Sequence, residues 1–191
     1  MSPFYIFNEK DKLEEAVDLW IADESAAIEK YGDINTWDVS AIDDFSYLFS
    51  NKRSFNSDTF NSDISNWDVS NGINFAGMFT YATSFNQDIG DWDVGNGTDF
   101  SSTFRGANSF NHDIGNWDLS NALDLKYMFM NATNFNQDLN KDLNNWDLSK
   151  ATDLMYMFYE ADSFNGDISR WDVSSVTEFN AMFYGAKSLY S

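Results

Sequence analysis

The side chains best placed to do chemistry are aspartates that recur at matching positions along the chain. Asp38, Asp68, Asp93, Asp118, Asp147 and Asp172 each follow a tryptophan, and Asp63, Asp88, Asp113, Asp138 and Asp167 each end a Phe-Asn-x-Asp phrase. Stacked carboxylates about 4.8 Å apart repel one another by roughly 1 kcal/mol in water, so something must compensate. One solution is local: Asp side chains accept hydrogen bonds from backbone N–H groups in Asx turns, while Asn61, Asn86, Asn111, Asn136 and Asn165 form an internal ladder. The other is a hard cation such as calcium, which takes several oxygen ligands. Its candidate ligands are Asp68, Asp93 and Asp118 in one column and Asp88 and Asp113 in the other. Neither an EF-hand loop nor the glycine-rich calcium nonapeptide is present in the sequence.

Paired carboxylates also suit glycoside hydrolysis. These pairs recur in every repeat, whereas a catalytic group breaks its background. His112, the single histidine, takes the place filled elsewhere by Ser62, Gln87, Gln137 and Gly166, so it reads as a polar surface residue. Neither a Gly-x-Ser-x-Gly elbow nor a glycine-rich phosphate loop occurs. The expectation is a protein without catalysis and without a cofactor, calcium being the one alternative.

The elements that position these residues follow from the spacing of the Trp-Asp pairs, which is 25 residues in three intervals and 30 and 29 in the others. The two longer intervals restate a scrap of sequence, Phe55–Asp58 as Phe60–Asp63 and Asp138–Asn140 as Asp142–Asn144, which reads as bulges on one edge of a stack. Such a period belongs to repeat arrays whose units bury their apolar sides only against neighbours. Within the unit Phe85 to Ala107, Trp92 and Val94 alternate around Asp93 as on a half-buried strand. Phe100, Phe104 and Ala107 follow at helical spacing behind Asp99. The expected fold is an α/β repeat solenoid, leucine-rich-repeat-like, with one short strand and one short helix per coil and aromatic rings in the leucine places.

Residues 1–32 lie outside the repeat and read as an N-terminal capping helix, with 33–191 as a six-coil solenoid, one structural domain in all. Leu13, Ala16, Val17 and Trp20 draw a stripe that Ala27, Ile28 and Tyr31 continue, and Gly32 is the expected stop. The last coil reaches Leu189-Tyr190-Ser191 without a capping sequence, so a partner, a second copy or further chain is expected to cover that edge.

Charge narrows the partners. Eleven Lys and Arg stand against 31 Asp and Glu, a formal net charge of −20, so nucleic acid and anionic membrane surfaces repel the chain. The absence of cysteine excludes disulfides and thiolate metal sites without indicating a compartment. Met1 to Phe7 has neither the basic region nor the apolar run of a signal peptide, and localisation is not legible from the sequence.

Ser84-Phe85-Asn86-Gln87-Asp88-Ile89, Trp171-Asp172-Val173-Ser174-Ser175-Val176-Thr177 and Ala181-Met182-Phe183 resemble the BspA-like surface-protein repeat found in mycoplasma, lactobacillus and marine algal proteins. Leu13–Trp20 and Tyr31–Ile34 are similar to the leader that precedes such repeats in algal members. The resemblance implies a leucine-rich-repeat-like fold and an adhesive or protein-binding role, with no catalytic residues. Gly72, Gly97 and Ala122 depart from the family's Val and Thr103 from its Met, which is expected to loosen the middle coils.

Positions that vary between coils are free to bind. Tyr127, Met130, Tyr156, Tyr159 and Tyr184 gather there on the helical side of the later coils, and Leu189 and Tyr190 lie at the open edge. Large Tyr and Met side chains suit protein interfaces. The function expected is a noncatalytic protein-interaction or scaffold module, either docked on a larger assembly or adhesin-like, with calcium-dependent binding through the Asp columns as the alternative.

Overall fold

The computed structural model describes residues 5–50, 59–139 and 146–190, with the side chain of Tyr190 left out; the restated scraps at 55–58 and 140–144 lie outside these residues. Two helices open the chain, α1 (Lys10–Ala22) and α2 (Glu24–Tyr31). The single helix expected here is broken at Asp23, whose Oδ1 accepts from Ala26 N at 3.0 Å and so starts a new helix instead of continuing the old one. Leu13, Ala16, Val17 and Trp20 are buried as the stripe requires, but Ile28 is exposed.

The two helices and the segment before them cover the first repeat. Trp20 meets Trp37 edge-on at 5.8 Å, and its indole N–H donates to Ser62 Oγ at 2.9 Å. Lys10 reaches Asp44 at 2.9 Å, and Phe7 N donates to Asp38 O. Phe45, Leu48 and Phe49 of the first repeat are consequently as buried as their counterparts in the middle of the array.

The expected α/β, leucine-rich-repeat-like solenoid is not formed. Among the described residues no repeat contains an α-helix, and parallel pairing between neighbours is confined to single residues, Asp44 with Asn74, then Asp99, Asp124, Asp153 and Glu178. The cause lies where the helix was expected. Phe75, Gly77, Phe79 and Tyr81 donate their N–H groups not back along their own chain but sideways, to Asp99 O, Ser101 O, Thr103 O and Arg105 O of the next repeat. The intervening Met78, Thr80 and Ala82 bond three residues back. The same alternation joins Phe100 through Gly106 to the fourth repeat, Leu125 through Asn131 to the fifth and Leu154 through Glu160 to the sixth.

Half the N–H groups therefore leave the segment, and an α-helix, which needs them all, cannot close. A strand cannot form either, because consecutive N–H groups do not alternate between two neighbours. Left-handed backbone at two places per repeat permits this path: Tyr47, Gly77, Ser102, Tyr127, Tyr156 and Ala181 in one column and Tyr81, Gly106, Asn131, Glu160 and Gly185 in the other. At the Trp-Asp position the burial alternation holds, with Trp92 and Val94 buried around exposed Asp93, but turns rather than a strand carry it.

The core holds four files of aromatic rings, the shortest of them Phe45, Phe75 and Phe100 at 5.2–5.6 Å. Phe49, Phe79, Phe104, Phe129, Phe158 and Phe183 stack at 5.4–5.6 Å. Phe60, Phe85, Phe110, Phe135 and Phe164 follow at 5.8–6.1 Å. In the tryptophan file, the indoles of Trp67, Trp92, Trp117 and Trp146 donate to the carbonyls of Ile34, Ile64, Ile89 and Ile114 in the preceding repeat. The second to fifth repeats are thus each pinned to the one before by backbone, ring and indole contacts at once, and the sixth by backbone and ring contacts.

The glycines at 72 and 97 do not loosen the middle. A Cβ on Gly97 would lie 2.3 Å from Phe100 Cζ and one on Gly72 2.4 Å from Phe75 Cζ, so a phenyl ring already fills the space. Where the column carries Ala122 or Ala151, the ring is replaced by Leu125 or Leu154. Thr103 is equally well housed, its hydroxyl donating to Phe100 O at 2.7 Å. No helix among the described residues is long and apolar enough to cross a membrane.

Candidate functional site

The Asp columns are built into turns. Oδ1 of Asp38, Asp68, Asp93, Asp118, Asp147 and Asp172 accepts from the N–H two residues on, at 2.9–3.1 Å. Asp63, Asp88, Asp113 and Asp167 do the same. A third column, Asp44, Asn74, Asp99, Asp124 and Asp153, repeats the motif at the start of each donor row. Of that column only Asp99 stands out in the sequence, as a helix start; the Asp/Asn spacing that matches the other two columns is the signal for the rest.

Hydrogen bonding to the charged form is what steadies these carboxylates. The Ser70 hydroxyl, then its amide, holds the Asp68 carboxyl below the usual range. Ser149 acts likewise on Asp147, and Ser174 on Asp172. At Asp44 partial burial pushes upward, but bonds from Lys10 and Ser46 outweigh it and the net shift is downward. The asparagine ladder also forms, on the surface and not inside: Asn86, Asn111, Asn136 and Asn165 donate their N–H groups to the side-chain oxygen of the Asn one repeat earlier, at 2.8–3.0 Å. Among the described residues no group of three or more acidic or histidine side chains converges as a metal would require, so Asp68, Asp93, Asp118, Asp88 and Asp113 do not gather into such a group.

Aromatic side chains, by contrast, are brought together. Tyr127 stacks on Tyr156 at 5.4 Å, Tyr156 meets Tyr159 at 5.5 Å, and Tyr159 stacks on Tyr184 at 5.1 Å. The Arg105 guanidinium lies 5.6 Å from the rings of both Tyr81 and Tyr127 and extends the stripe backward. Tyr47 lies over Gly77 and Tyr81 over Gly106, where a Cβ would meet the rings at 2.3 and 2.4 Å. The stripe runs the length of the array on one side, half-buried in the middle and most open at Tyr184, 64% exposed. Met130 is half-buried beside it.

Four of these tyrosines, Tyr47, Tyr81, Tyr127 and Tyr156, hold φ between 57° and 60°. A bulky residue there costs roughly 1–2 kcal/mol relative to right-handed backbone, whereas Gly77 and Gly106 fill the same columns without that cost. Tyr47 and Tyr81 thus join the residues singled out from sequence.

Leu189 takes the register of Phe85 and Phe110, its N–H donating to Ala186 O as theirs do to Ala82 and Ala107, and it is half-buried. A hollow of 690 Å³ lies near the N-terminal end among Ile6, Trp37, Asp38, Asn66 and Asp68. It holds two carboxylates engaged by their own turns and no nucleophile beside a base.

No curated protein and no solved structure matches the chain. One family model matches it twice, over residues 5–141 and 136–191, which together take in every repeat. By that match the chain belongs to the family described as Mycoplasma protein of unknown function, DUF285.

Proposed function

We propose that this protein is a noncatalytic protein-binding module of the BspA-like surface-repeat kind, and that it engages its partner through the tyrosine stripe. The observation that carries this reading is the placement of Tyr47, Tyr81, Tyr127 and Tyr156 in left-handed backbone, where glycine would be less strained. Stability alone does not favour a large half-exposed ring at such a position. A rigid aromatic surface with an arginine set into it has the composition of an interface centre. Docking on a larger assembly and adhesin-like attachment both use such a surface.

The test is a quantitative pull-down from the native source with the wild-type chain and a Tyr127→Gly/Tyr156→Gly variant immobilised side by side, eluted first with chelator and then with salt and detergent. The expected result is a defined protein set retained by the wild type, lost by the variant and released by salt or detergent. Equal retention by both chains removes the stripe from the account, and release by chelator transfers the role to the Asp columns.

A further inference from the structure

Four lysines of this acidic chain hold a carboxylate of their own. Lys10 reaches Asp44 at 2.9 Å, Lys12 reaches Glu15 at 2.8 Å, and Lys126 and Lys187 reach Asp124 and Asp162 at 2.7 Å. Arg105, in the middle of the tyrosine stripe, has no such counter-ion among the described residues; its guanidinium lies 5.6 Å from the ring of Tyr81 in the second repeat and 5.6 Å from that of Tyr127 in the fourth. Its Nε is shielded from solvent with no hydrogen-bond partner among the described residues, while the residue as a whole is only half-buried. The two Nη groups are therefore the edge of the guanidinium that faces outward.

The surroundings keep that charge unanswered. The segments that carry the stripe in the second, third and fourth repeats, 75–85, 100–110 and 125–135, contain no Asp or Glu in a chain that has 31; in the fifth, Glu160 and Asp162 return. The backbone holds the arginine in place, with Tyr81 N donating to Arg105 O at 2.7 Å and Arg105 N to Ser102 O at 3.1 Å.

A partner that covers this stretch takes the guanidinium out of water. An apolar or basic surface laid over it would leave a desolvated, unpaired cation, and the neighbouring rings offer only their faces in return. A carboxylate answers it, because two oxygens match two Nη donors and the bonds are charge-assisted. We infer, resting on the stripe as the partner surface, that Arg105 is its specificity-determining residue and that the partner's docking segment carries an Asp or Glu whose carboxylate seats on the Arg105 Nη groups between Tyr81 and Tyr127. The counterparts of Arg105 in the other repeats, Ser50, Thr80, Met130, Tyr159 and Tyr184, are uncharged. The contact therefore also fixes one register along an otherwise repetitive surface.

The experiment applies the labelled full chain to an array of random octapeptides with acetylated and amidated ends, so that every carboxylate is a side chain. Wild type, Arg105→Met, Arg105→Lys and Tyr127→Gly/Tyr156→Gly are compared. Met130 fills the same place one repeat on, and protection of the Tyr81 amide from exchange checks that Arg105→Met keeps the fold. The expected result is that peptides captured by the wild type carry an acidic residue at one position, favoured over its amide by at least about tenfold. Arg105→Met should capture the Glu and Gln forms alike, Arg105→Lys should keep part of the preference, and the tyrosine variant should lose capture altogether. Capture without an acidic preference, a preference for basic peptides, or an acidic preference that survives in Arg105→Met overturns the inference while leaving the stripe as the partner surface. An Arg105-dependent preference that persists undiminished in the tyrosine variant supports the carboxylate contact and removes the stripe. No capture by the wild type overturns the inference and leaves the pull-down to judge the stripe.

Discussion

Trp117 and Trp171 occupy the same column of the repeat, and the structure assigns them different energies. Trp117 is buried, and its indole N–H donates to Ile89 O at 3.0 Å. Trp117→Phe removes that bond, about 1 kcal/mol, and leaves a gap where the second ring sat, about 1–2 kcal/mol more. Trp171 is half-buried, and its Nε1 is shielded from solvent with no partner among the described residues. Trp171→Phe loses no hydrogen bond and removes an unpaired buried donor, whose relief offsets the lost ring contacts to within about 1 kcal/mol. The two substitutions should therefore differ by roughly 2 kcal/mol, about a thirtyfold difference in unfolding equilibrium. Urea unfolding followed by circular dichroism reads this directly, with a wild-type-like midpoint for Trp171→Phe and a clearly lowered one for Trp117→Phe. Equal losses, or a larger loss at Trp171, would refute the reasoning that the indole bonds lock the units together.

Three further outcomes follow from the same geometry. Gly97→Val should destabilise by about 1–3 kcal/mol through overpacking against Phe100, and Phe100→Leu should restore much of the loss, since Ala122 already sits with Leu125; thermal melts of the single and double variants check this. Tyr127→Gly with Tyr156→Gly should leave the chain folded, because relief of about 1–2 kcal/mol of left-handed strain per site counters about 0.5–1.5 kcal/mol of lost stacking; a collapse of the circular dichroism signal would make these rings core instead of surface. Asp68, Asp147 and Asp172 have folded values below the ordinary carboxyl value of about 3.9. Their contribution to stability is whole above that pH and is lost as pH falls through the depressed folded values. Ser70→Ala with Ser149→Ala should accordingly move the acid-unfolding midpoint upward in a pH titration, and an unmoved midpoint would discount the serine bonds.

Much of the architecture was legible because stacking demands the same residue at the same place. The Phe and Trp files, the alternation of Trp92 and Val94 about Asp93, the Asx turns and the asparagine ladder all follow from columns readable in the chain. Local conformation was not. Phe100, Phe104 and Ala107 fall at spacings that suit an α-helix, and the same spacings suit a segment that turns through left-handed backbone at 102 and 106 and gives its N–H groups to a neighbour. The distinguishing signal was Gly77, Gly106, Asn131 and Gly185, all residues that accept positive φ, at matching places in two columns. Tyrosines in the same columns hid it, because a bulky residue is not expected in left-handed backbone. The apparent looseness at Gly72 and Gly97 misled for a related reason: each glycine is half of a pair, and its partner three residues on supplies the missing volume.

The sideways donor row is the feature on which the corrected fold depends, and residue-resolved amide exchange on the isolated chain tests it most directly. The account predicts strong protection at Phe75, Gly77, Phe79 and Tyr81 and at the equivalent residues through Glu160, with rapid exchange at Phe179, Ala181, Phe183 and Gly185. Uniform protection across the last row, matching the earlier ones, would contradict it.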